Sequence, residues 1–145
     1  MSELQIRPLA ICVFRDRDRI LVGHAFDAHK NERYCRPPGG GIEFGERAVD
    51  ALRREIREEI GAEIDNPTLL GVLENIFALE GKRRHEVVFV FTARLRDQTL
   101  YAVEEIALHE PGWEGGLKWE PLSRFSNGAR PFYPTGLLEL LSRAA

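Results

Sequence analysis

Three carboxylates crowd one short stretch of this chain: Glu55, Glu58 and Glu59 fall within five residues. They follow a run of three glycines, Gly39 to Gly41, and precede a stop at Gly61. Glutamates at i, i+3 and i+4 of a helix share a flank and repel one another unless something positive lies between them. Arg54 can pair with Glu58 one turn on. A divalent cation would neutralise far more, and Mg²⁺ favours carboxylate oxygens together with waters and phosphates. The chemistry to look for is therefore metal-assisted work on a phosphate-bearing molecule, with a solvated charged helix face as the plain alternative.

The elements that carry these groups follow from the pattern. A helix is expected from about Glu46 to Ile60, with Gly45 as a weak N-cap and Gly61 as a left-handed stop. At 100° per residue with Glu55 at zero, Glu58 falls at about −60° and Glu59 at about +40°. Val49, Leu52, Ile56 and Ile60 form the apolar stripe, while Asp50, Arg53 and Arg57 lie roughly opposite the acids. The carboxylates thus flank the core. The glycine run lets the backbone approach a ligand closely or adopt positive φ.

Around this stretch, residues 5–14 and 19–26 read as strands joined by an RDRD turn. Residues 27–33 read as a loop, 34–36 as extended, and Pro37-Pro38 keep them so. Ile42 to Phe44 carry a short strand signal, and Asp65-Asn66-Pro67 a turn. Residues 68–79 and 85–96 are expected to form an antiparallel hairpin with GKRR at its tip. An acidic segment spans 99–116, a short strand LKWEPL follows, and an amphipathic helix is expected over 134–144. Many strands with two helices outside any regular βα alternation give an α+β fold, a mixed sheet with helices on opposite faces.

Bulk properties narrow the partners. The 145 residues suit one domain, 1–145, and 43% apolar with 30% charged residues is ordinary for a soluble protein. A net charge of −3 supplies no global field for a nucleic-acid backbone. A small polyanion held through a metal stays open. Cys12 and Cys35 form no CxxC and read as reduced core thiols. No run reaches membrane-span length and MSELQIRPLA has no signal-peptide pattern, so cytoplasm is the expected location.

The stretch from Gly40 to Ala62 resembles the Nudix box, G-x5-E-x7-R-E-U-x-E-E-x-G-U with U aliphatic. Gly40, Glu46, Arg54, Glu55, Ile56, Glu58, Glu59 and Gly61 stand at the fixed positions, and Ala62 is a small departure at the last aliphatic one. The resemblance implies a Nudix-type α/β/α sandwich with a loop–helix–loop catalytic motif. It implies a MutT-like pyrophosphohydrolase that cuts a nucleoside diphosphate linked to another group, by water attack at phosphorus, with Mg²⁺ or Mn²⁺. Glu55, Glu58 and Glu59 then match metal-binding glutamates, and Arg54 the arginine that holds a box glutamate in place. Gly39 or Gly40 offers a carbonyl ligand and Glu46 braces the loop. Glu58 or Glu59 could act as base.

A base or extra ligand can also come from outside the box in this family. Glu104, Glu105 and Glu86 are the candidates, Glu105 foremost because its region suits a closing loop; each also reads as an ordinary surface carboxylate. For substrate binding the candidates are Arg36, Arg33, Lys30, Arg84, Lys82 and Arg83 for phosphates. Phe44, Tyr34, Phe77 and Phe91 could stack a base, with core packing as the alternative. Trp119 and Leu122 read as structural. Many relatives form dimers, so a homodimer is left open. The alternative function is a non-catalytic nucleotide-binding sensor domain of the same fold; an isomerase on this fold would carry extra segments that are absent here.

Overall fold

Strand β1 (Ile6–Val13) is buried on both faces, and each face belongs to a different half of the core. Ala10, Cys12 and the following Phe14 point one way, and Leu9, Ile11 and Val13 the other. Such two-sided burial suits a strand with a parallel neighbour. The computed structural model, which describes residues 4–143, supplies that neighbour.

The remaining elements are β2 (Arg15–Asp16), β3 (Arg19–Asp27), β4 (Glu32–Arg36), β5 (Gly39–Gly41), α1 (Ala48–Ile60), β6 (Ile64–Leu79) and β7 (Lys82–Leu95). A 3₁₀ turn at Gln98–Tyr101 leads to β8 (Glu105–Ile106), β9 (Leu117–Pro121), α2 (Ser123–Ser126) and α3 (Leu137–Arg143). One sheet has the order β5-β1-β7-β6 and is mixed, because β1 and β7 run parallel. The other has the order β2-β3-β9-β8, with β4 added to β3, and its pairings are antiparallel. Leu52, Ile56 and Ile60 of α1 cover one core cluster; Phe125 of α2 and Leu137 and Leu141 of α3 cover the other. The expected α/β/α layering holds, with the strands divided between two sheets. Cys12 and Cys35 are buried free thiols, and burial pushes both up. Among the described residues no helix is long and apolar enough to cross a membrane.

Several boundaries differ from expectation for local reasons. The strand after Pro38 is the glycine run itself, paired with β1 from Leu9 to Ile11, and Ile42 to Phe44 lie outside it. Helix α1 starts at Ala48 with Arg47 at its N-cap, because Gly45 (φ 88°) and Glu46 belong to the preceding turn. Asp65-Asn66-Pro67 is no turn: β6 runs through it with slipped register, as a bulged edge strand can around proline. The hairpin tip is Glu80-Gly81, both at positive φ, so Lys82, Arg83 and Arg84 are strand residues. Residues 27–33 are loop only in the middle, between β3 and β4. The last helix begins at Leu137, and its expected end at residue 144 lies outside the described residues. Helix α2 carries no pattern long enough to read.

Asp27 closes the turn between β3 and β4. Its buried carboxylate accepts the N–H groups of His29 (3.0 Å), Lys30 (3.3 Å) and, from the β6–β7 tip, Glu80 (3.3 Å). Burial pushes this carboxyl up, but those N–H groups outweigh it and leave it below its usual range.

Ile56 sits fully buried in the middle of the α1 stripe. Replacing Ile56 by Ala is expected to cost about 3 kcal/mol through lost transfer energy and the cavity left behind. Chemical denaturation checks this as a lower midpoint with an unchanged slope.

Candidate active site

The site is assembled around the Arg54 guanidinium. Its Nε and Nη2 donate to the two carboxylate oxygens of Glu46 at 2.7 and 2.9 Å. Nη2 also donates to the Gly41 carbonyl (3.0 Å), and Nη1 to Glu58 Oε1 (3.1 Å), with Glu55 Oε1 at 3.5 Å. One planar group therefore ties helix α1 to the loop before it and to strand β5. Glu46 in turn accepts the N–H of Glu43 (3.0 Å). The Arg54 hydrogen bonds, then that N–H, draw the Glu46 carboxyl down to about 2.

The glycines of β5 make room for the helix acids. A side-chain carbon on Gly40 would run into the Glu55 carboxylate, and one on Gly39 (φ 144°) into the Ala10 carbonyl. Glycine is required at Gly39, where φ is positive and the obstacle is backbone, whereas at Gly40 only the mobile end of Glu55 would have to shift. The Gly39 N–H donates to Glu59 Oε1 at 3.0 Å.

The three helix acids are graded by depth. Glu58 is 60% exposed at its side chain, Glu55 16%, and Glu59 as a residue only 3%. The wheel had placed all three at the core edge; Glu59 in fact sits inside it. Burial, then the carboxyl of Glu110 within hydrogen-bonding reach, and Glu55 push Glu59 up to about 9, against the Gly39 N–H. Burial also raises Glu55, with Glu58 and Glu110 adding to it against Arg54.

Glu110 was absent from the sequence-based candidates. It reaches the box because the His109 N–H donates to the Glu59 carbonyl at 2.7 Å. Its one signal in the sequence was membership of the acidic segment 99–116. Glu105 accepts the Gly116 N–H at 2.7 Å, beside the β8–β9 connection, and Glu110 lies within hydrogen-bonding reach of Glu59. Glu104 is exposed. Glu86 is buried, at 6% exposure, on β7 opposite Asn75.

The substrate candidates part company. Arg36, Lys30, Tyr34 and Phe77 line one cleft, with Tyr133, Asn75 and Glu86. Tyr34 and Tyr133 meet edge to face at 5.3 Å. Arg33 lies outside it, paired with Glu114 (3.3 Å) and stacked over Phe26. Arg84 lines a different, cationic cleft with Arg7, Lys82 and Arg83. Phe44 is fully exposed on the box loop, and Phe91 is core under α1. Trp119 is structural, its indole N–H bound to the Leu100 carbonyl.

Among the described residues no three acidic, imidazole or thiol groups converge as a ready-made cage. The donor set still fits a hard divalent cation: carboxylates of Glu55, Glu58, Glu59 and Glu110 beside glycine carbonyls. The fit rests on Glu59, a buried acid facing other acids with one N–H to balance it.

Because Glu46 is depressed, the stability its pairing adds is present above the ordinary carboxyl value of 4.5 and fades as pH falls through about 2. The melting-temperature gap between wild type and Arg54→Met is expected to hold steady at neutral pH and to close across that window. Thermal melts at stepped pH check it.

Comparison with known proteins agrees with this geometry. The family model of the NUDIX domain matches residues 5–135. A MutT Nudix hydrolase from Burkholderia pseudomallei is similar in structure, with a TM-score of 0.69, 26% identity, and coverage of 94% of this chain and 97% of that one. A Nudix hydrolase from Nitrosomonas europaea shares the fold, with a TM-score of 0.68 at 16% identity, covering 97% of this chain and 88% of that one. The nucleoside triphosphatase NudI of Escherichia coli is 65% identical over 26 residues, 18% of either chain. The NudI of Escherichia fergusonii is 78% identical over 23 residues, 16% of either chain. The match thus spans under a fifth of these curated relatives. With the domain matched over most of its length and a box braced by Arg54, the chain belongs to the Nudix family.

Proposed function

We propose that this protein hydrolyses a pyrophosphate bond in a nucleoside diphosphate joined to another group, with Mg²⁺ or Mn²⁺ as cofactor. The observation that carries the reading is the seating of two box acids on the side-chain-free backbone of β5, Glu55 over Gly40 and Glu59 on the Gly39 N–H, with Arg54 tying Glu58 and the Gly41 carbonyl beside them. Glu55, Glu59 and the Gly40 carbonyl would hold the ion, with Glu58 at the open mouth and Glu110 as a further ligand. The ion, when bound, supplies charge neutralisation for the diphosphate and acidifies water.

The protein's own groups do the rest. Glu58, exposed and oriented by Arg54 Nη1, is set to receive a proton from the attacking water or to join the ligands. Arg54 keeps α1 and β5 in register, so that the acids meet the phosphate as a fixed set. The nucleoside lies in the cleft walled by Tyr34, Phe77 and Tyr133. In support, Arg36 on that wall is three residues from Gly39, a span of at most about 10 Å along an extended chain. Arg36 then faces the phosphates on their way from the cleft to the box. Similarity to the E. coli nucleoside triphosphatase NudI makes a nucleoside triphosphate the first substrate to test.

With Mg²⁺, at least one nucleoside diphosphate derivative in a broad panel is expected to release a phosphate-containing product, and chelation to stop it. Glu58→Gln is expected to lower the rate at least about tenfold. Gly40→Ala, which displaces only the flexible end of Glu55, is expected to lose rate with little loss of melting temperature. Product identification by chromatography checks all three. Nucleotide binding without any metal-dependent turnover would leave a sensor domain instead.

A further inference from the structure

Strands β6 and β7 set Asn75 and Glu86 directly opposite each other. Both are buried, at 8% and 6% exposure, and both line the aromatic cleft. Asn75 gives its Nδ2 to the Thr135 carbonyl at 3.2 Å, which leaves Oδ1 as a spare acceptor. Among the described residues no hydrogen bond or ion pair engages the Glu86 carboxylate, which borders both this cleft and the cationic one. The other acid on this wall, Asp27, already accepts three backbone N–H groups. Lys30 lies over the Tyr133 ring, with Nζ 5.9 Å from its centre.

A buried carboxylate without a partner is costly to fold around, and a protein has no structural use for it. The cleft therefore holds adjacent acceptors that its own donors, Arg36 and Lys30, do not engage. A carboxylate has acceptors only, spaced to take two neighbouring donors at once. Two parts of a nucleoside offer such a pair: the guanine edge, with N1–H beside N2–H₂, and the 2′,3′-hydroxyls of ribose. Adenine places an acceptor where guanine has N1–H.

We infer that Glu86, with Asn75 beside it, selects the nucleoside half of the substrate by accepting two adjacent hydrogen bonds from it. This rests on the nucleoside occupying the cleft, as proposed above. Glu86 is then a specificity residue and takes no part in proton transfer at the box.

The test measures binding in EDTA, so that it stands apart from turnover. Isothermal titration of the full chain compares GDP with IDP, which lacks N2–H₂, with 2′-deoxy-GDP, with ADP and with pyrophosphate alone. Wild type is expected to lose about tenfold or more on IDP if the base edge is read, or on 2′-deoxy-GDP if the diol is read. In Glu86→Gln and Glu86→Leu that loss is expected to vanish, while pyrophosphate binding does not fall. Glu86→Leu is also expected to melt no lower than wild type, since it removes an unpartnered buried acid. The inference is overturned if wild type binds GDP, IDP and 2′-deoxy-GDP alike, if the variants keep the wild-type ratios, or if both melt well below wild type. Hydrolysis with flat binding ratios would sink this inference alone; selective binding without hydrolysis would sink only the proposed reaction.

Discussion

The Arg54–Glu46 pair is the constraint on which the site depends. A helix bearing three acids on one flank repels itself, and its N-terminus here has no side-chain cap. Arg54 answers the repulsion with a single rigid fork that also holds the preceding loop and the glycine strand. A lysine could supply the charge, but as a point charge on a flexible stem it could not hold all these acceptors in one plane. The pairing survives because Glu46 stays ionised far below neutral pH. Stability of the loop and alignment of the acids are thus one interaction.

The glycine strand is the second half of that design. β5 has no side chains, so one of its faces can lie against the helix acids while its backbone pairs with β1. β1 in turn is fixed by its parallel partner β7, whose other edge carries the long strand β6. The order β5-β1-β7-β6 therefore runs from the box to the strands that floor the cleft. One continuous ladder of backbone hydrogen bonds joins the box at one edge to the cleft near the other.

What was readable in the chain was what is local. The box, its arginine brace and the left-handed stop at Gly61 are encoded by spacing within two dozen residues, and the β6–β7 hairpin by two long apolar runs. What was missed lies in contacts across the fold. Glycines carry no hydrophobic pattern, so β5 was invisible as a strand and its neighbours Ile42 to Phe44 were read in its place. Glu110 looks no different in sequence from Glu105; only the bond from His109 to the Glu59 carbonyl distinguishes them. The wheel placed the acids on one flank but could not grade their depth, because that depends on what β5 and the 99–116 segment cover. Arg33 and Phe44 were attractive by type and are held elsewhere, by Glu114 and by solvent.

Hairpin tips are commonly the most permissive places in a chain, where insertions and drift do little harm. The tip between β6 and β7 is different. Glu80 is fastened at both of its ends, its N–H to Asp27 and its carboxylate to the Ala28 N–H. Two turns distant in sequence are buckled together, and the cleft wall from Phe77 to Leu79 hangs from the buckle. Lengthening this tip would therefore alter the shape of the cleft without changing any residue that lines it.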